Sequence, residues 1–359
     1  MIESLQLSKF TTFSKADLEF SPQLNVIIGE NGTGKTHLLK ILYALTYSAT
    51  VGNSSHRYSG GFEYKIFEKA LSVFGVSNAN ALVRQNSKAK SIAQLFFGDD
   101  SFIAVEFDGF GTVYSSDTFN AKQNPRPIYL PAREVLSIFP NFVSLYESTV
   151  LEFDETWRDI AVALGAPQLK NPDKWARKLL EELGNLIGGQ IILKDGRFFL
   201  RIGDTLREAS LLAEGHRKLA TVAQLVSNGS IQNGSCLFWD EPEANLNPKL
   251  VRQAAQVIMV LAREGVQVFI ATHSLFLLRE LEILSVTDEV TEGNRVRYFG
   301  LHAAAKGVQV LQGDSGDDVG DITVLEEELK QTDRFLQAND LARKRSEQNN
   351  RKDRKSRSQ

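Results

Sequence analysis

Three short segments carry the residue types that phosphate chemistry needs. The first is Gly29-Glu30-Asn31-Gly32-Thr33-Gly34-Lys35-Thr36, a complete GxxxxGK[ST] pattern. Its glycines let successive backbone N–H groups turn inward as an anion nest, and a helix starting at about Gly34 adds the positive end of its dipole. Lys35 is placed to reach the β- and γ-phosphates of a nucleoside triphosphate such as ATP, and the Thr36 hydroxyl to ligand Mg²⁺. The second segment, Ser235-Cys236-Leu237-Phe238-Trp239-Asp240-Glu241, is an apolar strand ending in two carboxylates. There Asp240 would hold the magnesium through water, and Glu241 would orient and polarise an attacking water. The third, Val266–Ser274, is a buried strand that ends at His273. That imidazole can hydrogen-bond a γ-phosphate; a Thr/His/Ser helix cap is the plainer alternative. Its place about 30 residues after the acidic pair favours the phosphate role. His37, His56, His216 and His302 show no metal-ligand spacing and read as surface or packing residues.

These side chains need a parallel sheet to bring them together. Ile2, Leu5, Leu7 and Phe10, followed by Leu18 and Phe20, predict a short antiparallel pair. Leu24-Asn25-Val26-Ile27-Ile28 predicts a buried strand that runs straight into Gly29, and Leu38, Ile41, Leu42 and Leu45 recur at helical spacing after the loop. This strand–loop–helix order is the context the phosphate pattern requires. Carboxylates at the C-terminal edge of a parallel strand sit where an α/β sheet places its ligands.

Between the phosphate loop and the acidic strand, residues of about 46–205 form an insertion. It predicts helices over Phe62–Phe74, Glu155–Leu164 and Lys174–Ile187, and two hairpins. One pairs Ser101–Phe107 with Thr112–Ser115 around Asp108-Gly109-Phe110-Gly111, the other Gln190–Lys194 with Arg197–Ile202 around Asp195-Gly196. A sustained heptad repeat is missing, so no long coiled-coil arm is expected. Pro127-Ile128-Tyr129-Leu130-Pro131-Ala132-Arg133-Glu134 reads as a strand entering a turn. Arg133 or Glu134 would sense nucleotide or couple to a partner there, or the two would simply pair with each other at the surface.

Composition narrows the class. With 359 residues, 42% hydrophobic and 24% charged, the chain has a globular profile, and a net charge of −3 is unlike a general nucleic-acid glove. No apolar run approaches the ~20 residues of a membrane span, and no secretory signal is visible, so a cytoplasmic protein without membrane contact is expected. The single cysteine, Cys236, excludes an intramolecular disulfide and a cysteine-based zinc site.

In their order and spacing, the phosphate loop, the Asp240-Glu241 pair and His273 resemble the ABC-type ATPase heads that include RecF, the SMC proteins and the OLD-like ATPases. The resemblance covers residues of about 1–45 and 205–285. It implies an α/β fold, an ABC-type P-loop NTPase head with a mixed-sheet lobe and a compact helical insertion, with ATPase activity. It also identifies Leu211-Leu212-Ala213-Glu214-Gly215-His216-Arg217-Lys218 with the family's signature segment, and Glu243-Ala244-Asn245-Leu246-Asn247-Pro248 with the loop through which paired heads communicate. Ala213 stands where the family usually has serine, Asn247 where transporter ATPases have aspartate, and the glutamine expected near Arg133 is missing. These departures resemble small bacterial OLD-like ATPases more than transporters. Glu214 and Gly215 would then face an ATP held by a second subunit, with Arg217 or Lys218 supplying the electrostatic contact that Ala213 lacks. A homodimer or higher homo-oligomer with ATP sandwiched between heads follows from that likeness.

Three domains are expected: the head over 1–312, a charged helical extension over 313–342 (with a helix at Ile322–Leu341), and a basic tail over 343–359. Between Arg343 and Arg357 lie eight Lys or Arg residues, which could contact nucleic-acid phosphates or remain a solvated tail. The resemblance implies a nucleotide-gated switch or sensor serving a separately encoded effector, in antiphage defence. The chain ends too soon after His273 for an appended TOPRIM nuclease, so any nuclease would be a partner. A RecF-like repair ATPase that binds DNA directly is the second reading, and a transporter ATPase subunit the third.

Overall fold

The computed structural model describes residues 1–51, 62–85, 90–107, 112–115, 125–149, 151–287, 296–320, 327 and 330–344. The 108–111 turn, Leu325, Leu329 and the end of the basic tail, 345–359, lie outside them. The chain divides into two units, Met1–Gly320 and Asp321–Gln359. In the second, residues 330–344 are helical and exposed, with Phe335, Leu336 and Leu341 open to solvent.

The first unit is built on an 11-stranded mixed sheet whose halves follow two sequence patterns. Strands β1 (Ile2–Phe10), β2 (Phe13–Glu19), β4 (Ser91–Phe97), β5 (Phe102–Phe107) and β6 (Thr112–Ser115) are antiparallel in the order β6-β5-β4-β1-β2. Buried and open residues alternate along β2 and β4, the mark of a sheet with one face on the core. The other half continues β2-β14-β13-β3-β12-β11-β7. Its members are β3 (Leu24–Gly29), β7 (Ile128–Leu130), β11 (Cys236–Asp240), β12 (Gln267–Thr272), β13 (Val296–Ala304) and β14 (Gly307–Gly313). β13, β3, β12, β11 and β7 run parallel, and β11 and β12 are buried along their whole length, as strands covered on both faces must be. Inside 46–205, strands β4–β6 extend the main sheet, while β8 (Gln190–Lys194), β9 (Arg197–Ile202) and β10 (Thr205–Glu208) make a separate three-stranded sheet.

One buried side chain stitches β1 to the parallel half. Gln267, 0% exposed at the start of β12, accepts from Ile2 N–H and donates to the carbonyls of Ile2 and Ser21. Each of its polar groups is therefore paired, which a buried amide requires.

Helix α1 (Lys35–Val51) runs from the phosphate loop into the core, where Leu38, Leu39, Ile41, Leu42 and Leu45 are fully buried. α2 (Phe62–Phe74) packs on it, and α3 (Phe142–Ser148) leads to α4 (Glu155–Leu164), capped by Asp154. Asp173 caps α5 (Lys174–Ile187), and Gly188 ends it in a left-handed conformation, φ 80°. α6 (Glu214–Ser227), α7 (Pro248–Arg263) and α8 (Leu275–Thr287) complete the unit, and α5 and α6 pack together, as do α7 and α8.

Candidate functional site

The site forms where β3, β11 and β12, three parallel neighbours, end at one edge of the sheet. After β3 the chain turns through Glu30–Gly34, and its glycines are needed where they stand. Gly32 and Gly34 have φ of 83° and 94°, and a Cβ on Gly34 would run into Thr12 Oγ1. Thr33 Oγ1 donates to the Glu30 carbonyl, 2.8 Å, and Thr12 Oγ1 to the Thr33 carbonyl, 3.3 Å, so the turn between β1 and β2 braces the loop. Asn31 and Gly32 at the tip are exposed.

Lys35 is buried and donates to the carbonyls of Gly29, 2.8 Å, and Glu30, 2.9 Å. Burial holds its pKa below the ordinary lysine value, against the opposing pull of Glu241, Asp240 and Glu243. An ammonium resting on two loop carbonyls can exchange them for the oxygens of an anion.

Thr36 Oγ1 donates to Asp240 Oδ2 at 2.9 Å, and the Tyr129 hydroxyl donates to the same oxygen at 3.3 Å. Burial raises the Asp240 pKa, while the Thr36 hydrogen bond acts the other way. Asp240 Oδ1 is buried and has no protein partner. A buried carboxylate with one free oxygen, beside a threonine hydroxyl, is a hard all-oxygen donor set, the kind Mg²⁺ takes through water. The residues therefore fit that ion.

Glu241, the residue after β11, has φ 44°, a left-handed conformation that costs energy away from glycine. Its N–H donates to Ala271 O on β12, 2.9 Å. Its Oε1 lies 3.2 Å from His273 Nδ1, and both side chains stay partly open, at 29% and 43%. The adjacent strand ends thus bring together Lys35, Thr36, Asp240, Glu241 and His273.

Glu243 was not singled out from sequence, and it ties two of these segments together. Its carboxylate, 7% exposed, accepts from the Thr272 hydroxyl, 2.6 Å, and from His273 N–H, 3.2 Å. The acid falls two residues after the Asp-Glu pair, but nothing in that spacing marks it as buried. Tyr129 reads from sequence only as part of a strand, since a tyrosine in an apolar strand looks like packing, yet its hydroxyl reaches Asp240.

The signature segment differs in detail from its expectation. Arg217 and Lys218, expected to reach toward a second subunit, both turn inward. The Arg217 guanidinium lies 2.8 Å from Glu134 Oε1, with side chains 16% and 5% exposed, and also donates to Leu212 O. Glu134 therefore pairs with Arg217, not with Arg133, because its carboxylate is buried against α6 while Arg133 is exposed. Lys218 Nζ donates to the carbonyls of Ala244, 2.8 Å, and Glu241, 3.2 Å. Glu214 Oε1 accepts from Asn245, 3.0 Å, and a Cβ on Gly215 would come within 2.6 Å of Leu246 and 2.7 Å of Leu250. Asn247 caps α7, accepting from Leu250 N–H at 3.0 Å. Within one chain, then, α6 and the 243–248 loop form a single packed element.

Two family models match, an AAA domain over residues 4–148 and, over 158–279, one described as "AAA domain, putative AbiEii toxin, Type IV TA system". The DNA replication and repair protein RecF of Streptococcus thermophilus strain LMG 18311 is 24% identical over 262 residues, covering 60% of this chain and 67% of that protein. RecF of Ligilactobacillus salivarius is 40% identical over 68 residues, 19% of this chain and 17% of its own length, so that match spans only a small part of the relative. Among solved structures, the Smc head bound to the C-terminal winged-helix domain of ScpA has a TM-score of 0.54 at 14% identity, covering 88% of this chain and 98% of its own. The Pyrococcus furiosus Smc head with an extended coiled coil, bound to the C-terminal domain of ScpA, gives 0.54 at 13%, covering 93% and 99%. The mixed sheet is that of an ABC-type P-loop NTPase head. Two stretches of the chain are thus each similar to an AAA domain, and its fold is similar to that of the Smc heads.

Proposed function

We propose that the chain binds ATP with Mg²⁺ through Gly29–Thr36, hydrolyses it, and uses the cycle as a switch. The observation that carries this reading is the convergence of Thr36, Asp240, Glu241 and His273 at one sheet edge, with Asp240 Oδ1 buried and unpaired. Gly29, Asn31, Gly32, Thr33 and Gly34 supply the anion nest, and Lys35 leaves its loop carbonyls for phosphate oxygens. Thr36 and Asp240 hold the magnesium, whose charge offsets that developing on the phosphates. Glu241 takes a proton from the attacking water, and His273, 3.2 Å away, steadies that carboxylate and reaches for the γ-phosphate.

Glu214 and Gly215 at the start of α6 are proposed to cover ATP held by a second copy, so that a pair of heads closes around nucleotide. The finer role is a switch acting on a separately encoded effector, in a bacterial defence setting. The residue-level likeness to OLD-like heads supports it, as does the toxin–antitoxin description of the family model over 158–279. A RecF-like reading, with DNA bound directly by the heads, draws on the RecF relatives.

Phosphate release with ATP and Mg²⁺, measured on the purified chain, tests the enzyme reading. Lys35→Ala should lose nucleotide binding, and Glu241→Gln should bind ATP, accumulate a larger assembly and stop turning over. Failure of the wild-type chain to release phosphate, alone or with DNA, removes the reading. ATP-dependent DNA binding that survives deletion of 343–359 would move the function to the RecF-like alternative.

A further inference from the structure

We infer that Lys218 is a positioning residue for hydrolysis, which fixes the Glu241 carboxylate by gripping the backbone of the turn that carries it. This rests on the proposed role of Glu241. Four observations converge. Lys218 is 4% exposed in α6, so its ammonium is a buried charge that needs local compensation. Its partners are not carboxylates but two backbone carbonyls, of Glu241 at 3.2 Å and Ala244 at 2.8 Å. Those carbonyls bracket a turn that is also closed by Ala244 N–H donating to the Glu241 carbonyl, 3.0 Å. At its first residue, Glu241, φ is 44°, a conformation that persists only when the surroundings enforce it.

Lys218 is part of that enforcement. Without its two donated bonds, the turn would lose a buried donor shared by both its ends, and Glu241 would be freer to relax toward negative φ. Such a relaxation swings the side chain away from His273 Nδ1, now 3.2 Å from Glu241 Oε1. Burial holds the Lys218 pKa below the ordinary lysine value, while Glu214, Glu243, Glu241 and Asp240 pull the other way. Lys218 also places the grip on the signature helix, so a movement of α6 is transmitted to the Glu241 backbone. Binding of nucleotide to the chain's own phosphate loop does not run through the contact, because Lys35, Thr36 and the glycine loop lie on other elements.

The test is Lys218→Met in the full chain, which keeps an unbranched side chain one atom shorter and removes its donors. Turnover is expected to fall about 10–100-fold while the Kd for ATP with Mg²⁺ stays within about threefold. In a Glu241→Gln background, whose sustained turnover is lost, the same change should cost nothing further in the residual single-turnover rate of ATP cleavage, because the carboxylate it positions has gone. A purely structural lysine would lower the melting temperature yet leave the rate per folded molecule unchanged, and that result overturns the inference. So would additive losses in the double variant, or a Kd that rises in step with the loss of rate. Should Lys218→Met fail to fold, Lys218→Gln takes its place under the same criteria. A wild-type chain without turnover overturns the hydrolysis reading itself, whereas a hydrolysing wild type with additive variants overturns only the role of Lys218.

Discussion

Thr36 Oγ1 and Asp240 Oδ2 meet at 2.9 Å, joining the first turn of α1 to the end of β11. The bond leaves Asp240 Oδ1 buried and unpaired, an arrangement that costs free energy until a cation coordinates that oxygen or an ordered water donates to it. Asp240→Asn keeps the hydrogen-bonding shape and removes the charge. It is expected to weaken Mg²⁺-dependent ATP affinity about 10–100-fold, while affinity in excess chelator changes little. Calorimetric titration with and without Mg²⁺ separates the two. Equal losses in both conditions would show that Asp240 supports the loop and not the ion.

Glu134 and Arg217 make the second cross-link that matters for the site, between the turn after β7 and helix α6. With side chains only 5% and 16% exposed, removing Arg217 leaves Glu134 without its cation in a desolvated place, held only by Ser137 N–H and Oγ. Arg217→Ala should destabilise the chain by about 3–5 kcal/mol, and adding Glu134→Ala should restore part of that loss. Urea unfolding of the three variants measures it. A loss no larger than that of an exposed pair, about 0–1 kcal/mol, would show that water reaches the pair freely in solution.

Cys236 offers a pH reading away from the phosphate chemistry. Burial pushes its thiol up to about 12, well above the ordinary thiol value of about 9. For a group whose acidic form is favoured by folding, stability is fully present below the unfolded pKa and declines as pH rises from about 9 toward 12. Native protein should therefore resist a thiol reagent near pH 8 and react once unfolded, and Cys236→Ala should flatten the alkaline decline. Rapid labelling of the folded chain would contradict the burial.

How much of this was legible in the sequence depends on distance along the chain. The phosphate loop, the strand that ends in Asp240-Glu241 and the strand that ends at His273 are local patterns, and local patterns survive without tertiary information. Helices such as Lys174–Ile187 announce themselves by caps and periodicity, here Asp173 and Gly188. The links between elements were not legible. An amphipathic helix shows which face is apolar, but not that Lys218 on it bends inward to carbonyls, nor that Arg217 finds Glu134. Gln267 reads as an ordinary polar residue before a strand, and only the fold shows it bonded to Ile2. Glycine misleads in another way: Gly215 fitted an open helix end facing an anion, yet its missing Cβ also makes room for two leucines.

That last glycine can be tested by itself. A methyl group at position 215 would sit 2.6 Å from Leu246 Cδ2 and 2.7 Å from Leu250 Cδ1, closer than carbon atoms tolerate. Helix α6 would have to shift from α7 and the 243–248 loop, or the leucines would leave their places. Gly215→Ala is then expected to cost about 1–3 kcal/mol of stability, by overpacking rather than by loss of a ligand contact. Leu246→Ala alone loses packing, but in the double variant the small side chain vacates part of the space the methyl needs, the Leu250 contact remaining, so the two losses should not fully add. If nucleotide-driven pairing of heads also fails in Gly215→Ala and returns in the double variant, the glycine acts through packing of its own subunit. Pairing that stays lost although stability returns would instead place position 215 at the contact with the second copy.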